Sequence, residues 1–229
     1  MQSEFYLHKL YPLQDAVLII VSELKSKFYL TGGTVVSRFM TNHRFSDDLD
    51  FFLNADPHFL DETKRIYTAL YSVYKDQLEL TLQSETFCRM MLDVEGIILK
   101  LDFVNDVAFH VGDFWGNEHY FRLDNPTNIL SNKISALQRN AAKDISDILY
   151  LSFTHDFNWM QIIEDAQKKD TWVNEIEVAT GLNQFDINTL ETVKWTSKQD
   201  LSFFSQSLRT IAKEILMGAD NSLKGTKQS

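Results

Sequence analysis

Apolar residues recur along this chain at spacings that separate helices from strands. Leu13, Val17, Ile20, Val21 and Leu24 fall at helical intervals, so an amphipathic helix is predicted over 12–26. Phe28-Tyr29-Leu30 is a short apolar run stopped by Gly32-Gly33, the pattern of a strand ending in a tight turn. Val35, Val36, Phe39 and Met40 share one face of a helix over 34–40, with Thr34, Ser37, Arg38 and Thr41 on the other. Asp48 to Leu53 reads as a strand, partly alternating and then continuously apolar. A second amphipathic helix is predicted over 59–74, followed by strands over 78–83, 86–92 and 97–104.

After Asn125-Pro126 the pattern changes to helical spacing throughout, over 129–139, 144–153, 159–167 and 201–217. Helices interleaved with strands and then a strand meander give an α+β class. The expected division is a sheet domain over 1–125, a helical region over 126–219 and a polar, mobile tail over 220–229.

Composition supports a packed molecule: 44% of the 229 residues are hydrophobic and 17 are Phe, against only 8 Gly and 3 Pro. Lys and Arg number 22 against 32 Asp and Glu, a net charge of −10. That balance repels a nucleic-acid backbone at long range, so non-specific DNA binding is not expected, although a local basic pocket stays open. The one cysteine, Cys88, has no partner for an internal disulfide and reads as a buried core thiol. The N-terminus lacks the basic start and long apolar core of a secretory leader, and Ala16 to Val21 is too short to cross a bilayer. A soluble cytoplasmic protein without membrane association is expected. His8, His58, His110, His119 and His155 show no metal-binding spacing, and His43 reads as structural.

The chemistry concentrates in carboxylates. Asp48 and Asp50 stand two apart on a predicted strand, so both project to one side while Leu49 points into the core. Adjacent like charges call for a cation between them, and a divalent ion with hard oxygen ligands meets that need. Asp102 interrupts the apolar strand pattern of 97–104, where an unpaired carboxylate would be costly, and a neighbouring strand could bring it beside the pair. Three carboxylates can hold two metal ions, or Asp102 can serve as general base. Upstream, Gly32-Gly33 at a strand-to-helix junction allows close backbone approach, and the helix start with Thr34 can face an anion. Arg38, one turn after Thr34, is a candidate phosphate clamp or a partner of Asp48. Arg44 and Ser46 either orient the acidic strand or cap a turn. Each feature alone is also compatible with a solvated pair, a simple cap or a surface charge.

Taken in order, Tyr29-Leu-Thr-Gly-Gly-Thr-Val-Val-Ser-Arg38 and His43-Arg-Phe-Ser-Asp-Asp-Leu-Asp-Phe-Phe52 resemble the AbiEii/AbiGii toxin family, within the polymerase-β-like nucleotidyltransferase superfamily. Asn132-Lys-Ile-Ser-Ala-Leu-Gln-Arg139 and Lys143-Asp-Ile-Ser-Asp-Ile-Leu-Tyr150 look like later blocks of that family, so the resemblance spans about 28–151. It implies a polymerase-β-like core, a mixed twisted sheet flanked by helices, with a helical C-terminal region. It further implies Mg2+, with Mn2+ as an alternative, held by Asp48, Asp50 and, mapped less securely, Asp102. Gly32 and Gly33 would hold the phosphates of a nucleoside triphosphate, Lys133 would reach the triphosphate, and Asp144 and Asp147 would position Lys133 or the substrate. The implied biology is a toxin with an antitoxin partner and tRNA or a protein as acceptor. Two alternatives stay open: a degenerate module that binds a purine nucleotide without chemistry, and a nucleotidyltransferase acting on a small molecule such as an antibiotic.

Overall fold

The computed structural model describes residues 2–227. The chain divides into two units, one running from the N-terminus to Val35 together with Ser46–Asp124, the other made of Val36–Phe45 and the chain from Asn125 onward.

The first unit is built on a five-stranded mixed sheet of β1 (Tyr29–Thr31), β2 (Leu49–Asn54), β3 (Leu78–Gln83), β4 (Phe87–Val94) and β5 (Ile97–Asp106), in the order β1-β2-β5-β4-β3. β2 runs antiparallel to β1 and parallel to β5, and β3, β4 and β5 form the antiparallel meander that the sequence suggests. Side chains alternate along each strand, and the alternation decides which face does what. Leu49, Phe51 and Leu53 of β2, Leu99, Leu101 and Phe103 of β5, and Cys88, Met90 and Leu92 of β4 are all buried. Phe51 stacks on Phe103 at 5.0 Å between ring centroids, and Phe28 meets Phe103 edge-on. Fully burying an apolar side chain of this size contributes about 1.5–3 kcal/mol, so this apolar layer anchors the sheet. The intervening residues, Asp50, Asp102, Lys100 and Arg89 among them, are thereby turned to the opposite face.

Helices supply the remaining core. Short α1 (Gln2–Phe5) leads through π-helical turns at Tyr6–Leu10 into α2 (Tyr11–Glu23), and α4 (Phe59–Tyr74) follows β2. Val17 and Val21 of α2 and Ile66 and Leu70 of α4 are buried. Lys75, at positive φ, closes α4. The segment before Asp124 covers the β1 edge: Leu123 bridges to Leu30, and the buried Tyr120 hydroxyl donates to the Phe28 carbonyl at 2.8 Å.

The second unit is helical: α5 (Pro126–Ser135), a 3-10 turn at Leu137–Arg139, α6 (Ala142–Thr154), α7 (Trp159–Gln167), α8 (Glu175–Gln184), a 3-10 segment at Ile187–Thr192 and α9 (Leu201–Met217). Local chemistry sets the ends. Pro126 opens α5 behind Asn125, whose side chain accepts from the Asn128 amide, and Asp200 caps α9, which stops at Gly218 in the left-handed conformation. His43–Phe45 belongs here because its backbone pairs with residues 194–196: Phe45 N–H donates to the Lys194 carbonyl and Thr196 N–H to the His43 carbonyl. The polar tail folds back as far as Thr226. Asn221 donates from its side chain to the Ser152 carbonyl at 2.7 Å and Gly225 N–H to the Phe153 carbonyl at 2.9 Å. Residues 228 and 229 of that tail lie outside the described residues. Among the described residues no helix is long and apolar enough to cross a membrane.

Candidate active site

Three residues of the first unit, Ser46 to Asp48, lead into β2, and their neighbours in that unit fasten them from several directions. Gln14 on α2 donates to the Ser46 and Asp47 carbonyls at 3.2 and 3.1 Å, and the Tyr6 hydroxyl donates to the Asp47 carboxylate. Thr34 is buried, donates its hydroxyl to the Asp48 carbonyl and lies 2.9 Å from the Ser46 hydroxyl. Thr34 therefore braces the backbone that carries Asp48; its hydroxyl is used inside the fold and not presented to a phosphate.

From Asp48 the strand places Asp50 two residues on, with Leu49 buried between them. Pairing then aligns one residue from each of four strands: Thr31 opposite Asp50, Asp50 opposite Asp102, and Asp102 opposite Arg89. The sequence-predicted carboxylates thus share one face of the sheet, but Asp102 does not stand open beside the other two. Its carboxylate accepts from Arg89 Nε at 2.7 Å and NH2 at 2.8 Å, a two-pronged pairing, and from Lys100 Nζ at 2.8 Å. Lys100 also lies 3.2 Å from Asp48 Oδ2. Burial acts to raise the Asp102 pKa, yet the bonds from Arg89 and Lys100 outweigh it and hold the group below the usual carboxylate range. A carboxylate so stabilised in its charged form is a weak proton acceptor.

Gly32 makes room for Asp50. It adopts φ +71°, and a Cβ built on it would stand 2.8 Å from Asp50 Oδ2. Only a residue without a side chain admits that approach. Gly32 and Gly33 open a short helix (Gly32–Thr34, α3) that continues as π-helical turns through Thr41. On those turns Arg38 lies over the Phe39 ring at 5.2 Å.

The second unit contains its own charged cluster. Arg44 grips Asp147 with two bonds of 2.8 Å, and Lys133 on α5 lies 2.8 Å from Asp147 and 2.7 Å from Asp144, both on α6. Arg139 closes on the other oxygen of Asp144 at 2.8 Å. Arg44, Lys133, Asp144 and Asp147 are all buried. Burial disfavours the Lys133 ammonium, but Asp147 and Asp144 overcome it and keep its pKa above the ordinary lysine value. Burial likewise opposes the Asp147 charge, and Arg44 and Lys133 override it, so its carboxyl lies well below the usual range. His43 stacks on Tyr150 with its Nε2 3.2 Å from Asp147, without the alignment of a hydrogen bond; burial lowers its pKa. Lys133, Asp144 and Asp147 are thus brought together, as an ion-paired set in which the carboxylates hold the lysine.

The donor set fits the expected divalent ion in part. Asp48 and Asp50, partly exposed on one strand face, offer the hard oxygens such an ion takes. Asp102 fits that role poorly, because its oxygens are taken by Arg89 and Lys100. Among the described residues no group of three or more His, Cys, Asp or Glu side chains is arranged to hold a metal ion. Lys100 and Arg89 were not visible as site residues in the sequence. The one available signal was Lys100 two residues from Asp102 in an apolar strand, which places both on one face.

Two solved structures share this fold. JHP933 from Helicobacter pylori is 17% identical with a TM-score of 0.59, covering 91% of this chain and 93% of that one. MenT4, a nucleotidyltransferase toxin from Mycobacterium tuberculosis, is 13% identical with a TM-score of 0.65, covering 90% of this chain and 82% of that one. Among curated proteins, none matches. The family model described as nucleotidyl transferase AbiEii toxin, type IV toxin–antitoxin system, matches residues 17–214. With the carboxylate strand, the preceding glycine turn and the α5–α6 charge cluster all inside that span, the chain belongs to the AbiEii family of nucleotidyl transferase toxins.

Proposed function

We propose that this protein transfers a nucleotidyl group from a nucleoside triphosphate to a hydroxyl on an acceptor molecule, with Mg2+ or Mn2+ as cofactor, as the toxin of a toxin–antitoxin or phage-defence pair. The observation that supports it most is the fit of Gly32 to Asp50: a glycine at positive φ leaves room for a carboxylate that is partly exposed and two residues from Asp48. In this reading Asp48 and Asp50 hold the ion, and the ion when bound neutralises phosphate charge and lowers the barrier to displacement. Gly32 and Gly33 leave backbone open to the phosphates. Arg38 and Lys133 are the candidate phosphate cations of the second unit, with Asp144 and Asp147 setting the position of Lys133. Asp102 works as an anchor for Arg89 and Lys100, a change from the general-base role. The acceptor we favour is tRNA or a protein, and a cognate antitoxin is the expected partner.

A second reading, nucleotide binding without chemistry, draws support from the same Asp102, whose pairing with two cations removes it as a base. Calorimetric titration with each NTP plus Mg2+ separates the cases from one another when joined to a transfer assay with labelled NTP. Metal-dependent binding lost in the Asp48→Ala/Asp50→Ala variant, with transfer lost in folded Asp50→Ala, supports the enzyme. Binding without transfer to tRNA, protein or small-molecule acceptors supports the binding module. Transfer unaffected by Asp50→Ala would end the enzyme reading.

A further inference from the structure

The second unit leaves an apolar groove open to solvent where three of its helices meet. Met160 and Ile163 of α7 face Ile215, Leu216 and Met217 at the end of α9 around a space of about 360 Å³. Ile163 and Ile215 are buried and make its floor. Met160, Leu216 and Met217 are 56%, 55% and 68% exposed. Single apolar side chains on a surface are ordinary, but three that line one groove mark an interaction site. Met160 also lies against Gly218, where an added Cβ would stand 3.5 Å from the Met160 Cβ, so the α7 wall continues onto the end of α9.

The charges at this groove have one sign. Glu164 of α7 and Glu175, the first residue of α8, line it, and no lysine or arginine does. Among the described residues no cation pairs with either carboxylate, and the nearby Lys168 turns to Asp165 at 3.0 Å. The negative end of the α9 dipole opens on the same rim. An occupant must therefore bring an apolar stripe flanked by positive charge, which is the pattern of a basic amphipathic helix. Methionine side chains, unbranched and adaptable, suit such a stripe. A second copy of this chain brings the same acidic rim and a net charge of −10, so charge opposes self-pairing here. The chain's own tail is held elsewhere, with Asn221 and Gly225 bonded to the end of α6. We propose that this groove docks a basic amphipathic helix of a partner protein. Its apolar stripe sits on Met160, Leu216 and Met217, and its lysine or arginine side chains meet Glu164 and Glu175. The surface belongs to the second unit alone and stands independently of the nucleotidyltransferase reading.

Two fluorescein-labelled model peptides of about 14 residues, long enough to turn helical, test it. Both carry leucine at i, i+3, i+4 and i+7 spacing; one has lysine at every other position and the other glutamate. Each is titrated with the full chain and followed by fluorescence anisotropy. The lysine peptide is expected to bind in the micromolar range and the glutamate peptide not to bind. Leu216→Ser/Met217→Ser and Glu164→Lys/Glu175→Lys should each weaken the lysine peptide by at least about tenfold, the loss of a central contact. Glu79→Lys/Glu85→Lys, on exposed residues of the first unit, changes the net charge equally and should weaken it by less than about twofold. All these side chains are exposed, so each variant is expected to fold. Equal weakening by Glu79→Lys/Glu85→Lys reduces the binding to general attraction and overturns the groove. So does a wild type that ignores the lysine peptide, or binding untouched by Leu216→Ser/Met217→Ser. A glutamate peptide bound as tightly overturns the acidic rim. A wild-type dimer in sedimentation that Leu216→Ser/Met217→Ser dissolves makes the occupant a second copy and overturns the partner helix.

Discussion

Gly32 and Asp50 are fitted to each other: the carboxylate Oδ2 occupies space that any Cβ at residue 32 would enter, at 2.8 Å. The same glycine sits at φ +71°, where L residues pay roughly 1–2 kcal/mol. Gly32→Ala therefore carries two separate penalties, one in backbone strain and one in displacement of Asp50. The expected outcome is a folded protein destabilised by about 1–2 kcal/mol, with transfer activity reduced by about 10²-fold, the scale of a 1 Å misplacement near the chemistry. Thermal denaturation and a labelled-NTP assay on the same sample check both. Full activity in a folded Gly32→Ala would show that the position of Asp50 is not critical.

Asp147 concentrates the stability of the second unit. It is fully buried and receives Arg44 through two bonds, Lys133 through one ion pair, and the edge of His43. Removing one partner of such a set leaves the others buried without compensation, at a cost of about 3–5 kcal/mol. Asp147→Ala is expected to lose that much in urea denaturation, and Asp147→Asn somewhat less because it still accepts a hydrogen bond. A loss below about 1 kcal/mol for Asp147→Ala would mean that water reaches the cluster and screens it like a surface pair.

Lys133→Met tests which member of the cluster is functional. The substitution removes the charge that Asp144 and Asp147 hold but keeps an unbranched stem in a buried site. If the lysine serves phosphate chemistry, transfer should fall by at least about 10²-fold, as for loss of one electrostatic stabiliser, while chemical denaturation shows a folded protein. Loss of stability with unchanged activity per folded molecule would reduce Lys133 to a structural ion.

Much of this was readable from the sequence because it depends on local periodicity. The predicted ranges 59–74, 78–83, 159–167 and 201–217 coincide with α4, β3, α7 and α9. α8 lacks a legible helical pattern, because only Val178, Ala179 and Leu182 are buried along it and Gly181 interrupts the spacing. The helical start at Gln2–Leu10 is illegible for a similar reason, with Tyr6 and Leu10 its buried residues. Alternation alone places Asp48 and Asp50 on one face, and leaves Asp102 as a residue that a neighbouring strand could bring beside them. What Asp102 touches is not legible there: its partners follow from the register of β5 on β2 and β4, and a slip of one residue would turn every side chain over. The membership of His43–Phe45 in the helical unit rests on pairing with residues 194–196, about 150 positions away, which no local pattern encodes.

Cys88 offers a check on the sheet core. Burial first, and then the nearby Asp102 charge, push its thiol up to about 11. At neutral pH it is a thiol inside the apolar layer and not a thiolate, the form that reacts. The native protein should therefore resist Ellman's reagent for hours at pH 8 and release one equivalent on addition of denaturant. Rapid stoichiometric reaction without denaturant would show that the β4–β5 face opens.

Acid should unfold this protein in two stages, with different groups responsible. His43 and His155 both have folded pKa values lowered, in each case first by burial. The unfolded chain takes up those protons near pH 6.5 and the folded chain does not, so stability falls as pH drops below about 6.5. Asp147 and Asp102 have folded pKa values below their unfolded ones, despite burial, because of their cationic partners. Their stabilisation is present above the unfolded carboxylate value of about 3.9 and is lost as pH falls from there toward the folded pKa. Urea midpoints at pH 7, 6, 5, 4 and 3 should thus show a shallow decline followed by a steep one. The His43→Gln/His155→Gln variant should flatten the first stage alone, and Asp147→Asn, though less stable at pH 7, should blunt the second. If His43→Gln/His155→Gln keeps the wild-type slope between pH 7 and 5, those histidines titrate normally in the folded state and His43 is not shielded beside Asp147.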